Sequence, residues 1–114
     1  MNARLFRMPL ADLYPAYVDK VERKGRTRAE LDEVVRWLTG LDEAGLERVL
    51  GDGTTVEQFL TDAALPPTSD LITGSVCGVK VQEVEDPLMR RIRMLDKLVD
   101  ELAKGRPMEK VLRG

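Results

Sequence analysis

The segment from Asp86 to Gly105 constrains this chain more than any other. Asp86 is a helix N-cap residue, Pro87 suits the first helical position, and Gly105 suits the left-handed residue that ends a helix. Between them Leu88, Ile92, Leu95, Val99 and Leu102 recur at steps of four, three, four and three. Met94 and Leu98 widen that stripe, which favours packing into the helix's own domain over a narrow coiled-coil seam. A globular homodimer using part of this helix stays open.

Similar punctuation divides the rest of the chain. Leu10, Leu13, Tyr14, Tyr17, Val18 and Val21 share one helical face. Pro15 is compatible with that helix if Asp12 is the N-cap, and Gly25 ends it after Arg23 and Lys24. Thr27 with Glu30 forms a capping box ahead of Leu31, Val34, Val35 and Leu38, and Gly40 closes this second helix. Trp37 lies off the centre of that stripe, as a ring sealing the core edge or stacking on a ligand. Asp42 starts a helix bearing Leu46, Val49 and Leu50 that Gly51 stops. Thr55 with Gln58 starts another, carrying Val56, Phe59 and Leu60. Pro107 restarts a final turn or two bearing Met108, Val111 and Leu112.

Two stretches break the helical pattern. A Pro-rich connector at residues 65–70 joins two halves of one domain, since the forty-odd residues beyond it are few for a separate core. In Leu71–Val81, Cys77, Val79 and Val81 alternate with Gly78 and Lys80, which reads as a strand or hairpin; a helix from Asp70 to Glu85 is the competing reading. The expected fold is therefore mainly α. It is a single compact domain over residues 1–114 with five to six helices and one small β element around residues 72–82.

The residue inventory narrows the chemistry. The chain has no histidine, so Ser–His and Cys–His nucleophile pairs are excluded, as is the commonest general base. One cysteine allows neither an internal disulfide nor a thiolate metal cage, and no cofactor, metal site or catalytic residue is expected. No apolar run resembles a signal peptide or a membrane span, so a cytoplasmic location with no membrane contact is expected. Net charge is −2, but residues 1–26 carry +3, residues 27–86 carry −9 and residues 87–114 carry +4. Such blocks complement one another within a fold, between subunits or across a partner surface.

Thr73, Gly74, Ser75, Cys77 and Gly78, with Trp37 and Tyr14, are the candidate ligand pocket, because small residues and glycines admit close approach. The motif matches neither a dinucleotide fingerprint nor a phosphate loop. Cys77 itself reads as a buried, inert small hydrophobe, with Lys80 the nearest charge in sequence. Asp70, Glu83, Glu85 and Asp86 read as solvated charge and a cap in place of a cation site. Arg90, Arg91, Arg93 and Lys97 form a candidate basic surface. Asp96, Asp100 and Glu101 share the same helix, and the acidic isoelectric point of about 5.2 argues against nucleic acid as a partner.

Three segments together, YPAYVDKVERKGRTRAELDEVVRWLTG, LITGSVCGV and EDPLMRRIRMLDKLVDELAKGRPMEKVLR, resemble the bacterial family known as domain of unknown function 2200. The resemblance implies a single-domain cytoplasmic protein with no assigned activity, and it supplies no catalytic residues to carry over. The leading functional expectation is a non-enzymatic binding or accessory protein acting through protein contacts or self-association. The alternatives are a small-molecule-binding protein or enzyme with a pocket near residues 73–79, and a nucleic-acid regulator using the basic C-terminal region.

Overall fold

In a computed structural model, which describes residues 3–113, the chain passes through helices α1 (Ala3–Arg7), α2 (Leu10–Glu22), α3 (Arg28–Thr39), α4 (Glu43–Gly51) and α5 (Val56–Thr61). A 3-10 turn at Pro67–Leu71 follows, then strands β1 (Ser75–Val76) and β2 (Val79–Lys80). A second 3-10 turn at Val81–Glu83 leads into α6 (Pro87–Ala103), and α7 (Met108–Val111) comes last. The fold is mainly α, as expected, with seven α-helices among the described residues. The added one is α1, whose five residues are too short to show a period.

Helix α6 is packed by α2, α3, α5, α7 and β1. Ile92, Met94, Leu95, Leu98, Val99 and Leu102 are buried on it, and each such side chain contributes roughly 1.5–3 kcal/mol when fully removed from water. All the buried apolar residues, from Phe6 to Val111, join one core. The expected caps are present: Asp86 accepts from the Met89 amide at 2.8 Å, and Asp42 accepts from Gly45 at 2.6 Å. Thr27/Glu30 and Thr55/Gln58 both form complete capping boxes.

Asp12 is not the cap of α2. The helix starts at Leu10, because the Leu10 amide donates to the Thr54 carbonyl at 2.8 Å and Val56 donates to Met8 at 2.9 Å. That short bridge between Pro9 and Thr55 takes over the role of a cap. Pro15 therefore lies inside the helix, and Ala11 loses the amide that would have bonded to its carbonyl.

Helices α2 and α6 run in the same direction. Tyr17 donates to Asp96 at 2.7 Å, Lys20 to Asp100 at 3.4 Å, and Arg26 to the Arg106 carbonyl at 3.0 Å, so partners advance together along both segments. Both helices end in the same way, at Lys24-Gly25-Arg26 and Lys104-Gly105-Arg106. Arg26 donates to Val21 and Arg106 to Glu101 across left-handed glycines.

The stretch after the connector is a hairpin. Val76 pairs with Val79 and Ser75 with Lys80 around a two-residue turn, Cys77-Gly78, in which both residues have positive φ (51° and 78°). This matches the twist of the strands, and it puts Cys77 at the exposed tip, against the expectation of a buried thiol. Gly74 has φ 104°, and a Cβ there would meet Lys97 Cε at 3.2 Å. Lys97 reaches past it to the Ser75 carbonyl at 3.1 Å, which ties the hairpin to α6.

Glu101 is the buried ionic centre of the molecule. Arg113 grips it with two bonds of 2.7 and 2.9 Å, and Arg106 and Lys97 lie 3.1 and 3.9 Å away. The Glu101 and Arg113 side chains are only 7% and 8% exposed, so removing one partner strands a buried charge. Glu101→Ala is expected to cost about 3–5 kcal/mol in urea unfolding, while Glu101→Leu with Arg113→Leu recovers most of that loss. A single variant as stable as the parent would contradict this arrangement. At the hairpin tip, Cys77 in the folded protein is expected to react with iodoacetamide at close to the rate seen in urea; strong protection in the folded state would contradict its exposure.

Candidate functional site

Two concave regions stand out, one lined by α2, α3 and α4 and one by α1, the hairpin and α6. The first is a groove built by α2, α3 and α4. One half, of about 380 Å³, has Ala11, Pro15, Val18 and Leu50 as its apolar wall and Glu22 at its edge. The other, of about 310 Å³, lies between α3 and α4 and is lined by Ala29, Leu46, Arg36, Glu43 and Glu47. Arg28 and Leu50 line both halves.

The groove's polar centre is fixed. The Tyr14 hydroxyl donates to Asp32 at 2.5 Å, Arg28 lies 3.8 Å from the other Asp32 oxygen, and its guanidinium carbon sits 5.8 Å from the Tyr14 ring centre. Burial, reinforced by the Asp32 carboxylate, pushes the Tyr14 hydroxyl far above its ordinary pKa, so it stays protonated. Among the described residues Glu22, Glu43 and Glu47 make no ion pair, and Arg36 Nε is buried without an acceptor. Because Pro15 lacks an amide, the carbonyl of Ala11, a residue of the groove wall, loses its usual helical donor.

The second region is a cleft of about 760 Å³ between α1, the hairpin and α6. Leu5, Val79, Val84, Met89 and Ile92 make it apolar, and Arg93 and Asp96 supply its polar end. Asp96 accepts from Tyr17 at 2.7 Å and from Arg93 at 3.5 Å. Burial drives the Tyr17 hydroxyl well above the usual phenol range, with the Asp96 charge adding to it. Burial also raises the Asp96 carboxyl above its usual value, against the hydrogen bond from Tyr17 and the charges of Arg93 and Lys20.

The sequence candidates do not gather in one place. Tyr14 belongs to the groove, whose lining includes none of Thr73, Gly74, Ser75, Cys77 and Gly78. Those five form the hairpin and its approach, and Trp37 packs half-buried against the core from α3. The four basic candidates divide similarly. Arg91 satisfies the carbonyl groups at the end of α5, bonding Leu60 at 2.6 Å and Thr61 and Ala63 at 3.3 Å. Lys97 is engaged by Ser75 and Glu101, Arg93 by Asp96, and Arg90 Nε is buried without an acceptor. Among the described residues no three His, Cys, Asp or Glu side chains converge as metal ligands would, and no helix is long and apolar enough to cross a membrane.

Tyr17 and Asp96 are the site residues that sequence reasoning missed. Tyr17 is hidden in the apolar stripe of α2, and 79 positions separate it from its partner. The one legible signal was an aspartate on the edge of the α6 stripe.

The family described as "Uncharacterized protein conserved in bacteria (DUF2200)" matches residues 4–113. The chain belongs to this family. A crystal structure of the uncharacterized protein SP1917 is similar to it, with TM-score 0.92 and 41% sequence identity, covering 99% of this chain and 93% of that one. No curated protein matches. These relatives carry no assigned activity, so the chemistry rests on the residues of this member of DUF2200.

Asp96 gives a pH signature with a definite sign. Its folded pKa is raised above 3.8, so the folded state holds a proton that the unfolded chain releases. Its contribution to stability therefore falls as pH rises through the ordinary carboxyl value to the raised one. Asp96→Asn keeps an oxygen for Tyr17 and removes that loss. Measured by urea unfolding from about pH 3 to about pH 7, the stability of the variant relative to the parent is expected to increase with pH; a flat or opposite trend would contradict the assignment.

Proposed function

We propose that this chain is a non-enzymatic binding protein that docks a partner protein in the α2–α3–α4 groove. The observation carrying this reading is the composition of the groove. An apolar wall of Pro15, Val18 and Leu50 is bordered by Glu22, Glu43 and Glu47, which have no cationic partner among the described residues.

The polar groups at its centre suit recognition better than catalysis. Tyr14 is locked to Asp32 and held protonated, and Asp32 is further neutralised by Arg28. A phenol held protonated in this way cannot act as a general base. A basic amphipathic helix fits the arrangement. Its apolar face covers the wall, and its lysines or arginines meet the three glutamates. The charge supplies on-rate and partner choice, and the wall supplies affinity.

The test uses a synthetic helical peptide with leucine on one face and lysine on the other, followed by fluorescence anisotropy. The parent protein is expected to bind it saturably. Glu43→Lys with Glu47→Lys should weaken binding by at least about tenfold, and a glutamate-for-lysine peptide should not bind. Equal binding by the double variant, or by the acidic peptide, would contradict the reading. If instead the protein alone sediments as a dimer and the double variant as a monomer, the groove takes a second copy of the chain and the foreign partner is ruled out.

A further inference from the structure

The cleft between α1, the hairpin and α6 is separate from the groove and asks for a different ligand. Its volume, about 760 Å³, falls within the usual size of small-molecule sites, and its wall is apolar except at one end. At that end Asp96 is already supplied with donors, by Tyr17 at 2.7 Å and by Arg93 at 3.5 Å. Arg93 uses only Nη1 for that single long bond, so Nε and Nη2 have no acceptor among the described residues. Those two donors lie on one edge of the guanidinium, in the geometry that grips both oxygens of a carboxylate.

The cleft's own lining holds one cation, Arg93, and one acid, Asp96, and that acid is already occupied by Tyr17 and Arg93. The preference for an anion therefore comes from the free edge of Arg93.

We infer that this cleft binds a small anionic amphiphile, with its carboxylate on the free edge of Arg93 and its apolar body against Leu5, Met89 and Ile92. The Tyr17–Asp96 bond fixes one side of Arg93, so the receiving edge is oriented before the ligand arrives. Preorganisation of this kind lowers the entropy lost on binding.

Titration calorimetry of the full chain with octanoate, acetate and octylamine tests the inference. Octanoate is expected to bind saturably at one site, with acetate (no body) and octylamine (opposite charge) at least about tenfold weaker. Arg93→Gln should weaken octanoate by about tenfold or more without changing its site count. Arg93 also serves Asp96, so a second variant guards against loss of fold: Val84→Glu, in the segment before α6, puts a like charge in the cleft and should abolish octanoate binding. Absence of saturable octanoate binding, equal affinity for octylamine, or indifference to both substitutions would overturn the inference.

Discussion

The parallel arrangement of α2 and α6 is the constraint from which the rest of the structure follows. Three contacts advancing in step, Tyr17–Asp96, Lys20–Asp100 and Arg26–Arg106, fix the two helices side by side and pointing the same way. Parallel neighbours cannot be joined by a short loop. The chain between them has to travel back to the start of α6, and α3, α4, α5 and the hairpin are that return journey. Wrapped around α2 and α6, they close the core, which explains why one core serves the whole chain.

The carboxylates of α6 do different work at different depths. Asp100 is bridged by Lys20 and Lys104 near the surface, where such pairs contribute little. Glu101 is buried among cations and anchors α7 through Arg113, and Asp96 is half-buried and faces the cleft. A position on the helix thus decides whether an acidic residue solvates the surface, locks the terminus or orients an arginine. The same charge pattern read as sequence gave only a net sign.

Local physics was legible from the residues. The capping boxes at Thr27 and Thr55, the Asp86-Pro87 start and the Gly105 stop each need only neighbours within a few positions, and each forms as expected. What depended on distant chain did not show. Asp12 loses the cap of α2 because Thr54, more than forty residues away, supplies the carbonyl that starts the helix at Leu10. Cys77 is exposed because pairing of Val76 with Val79 forces the turn onto it. The candidate pocket joined residues by their chemistry, but the fold separates Tyr14 from the hairpin and brings Tyr17 beside Asp96 instead. Arg91 and Lys97 looked like a surface, yet they serve carbonyl groups of α5 and β1.

Both concave regions depend on that central pair being rigid, since α2 forms a wall of the groove and α6 a wall of the cleft. Native-state hydrogen exchange measures this directly. The amides of α6 from Leu95 to Leu102, together with those of α2 from Tyr17 to Val21, are expected to exchange only through global unfolding and at a common free energy. Slowest exchange elsewhere, or independent opening of α2 while α6 stays protected, would contradict a structure organised around the parallel pair.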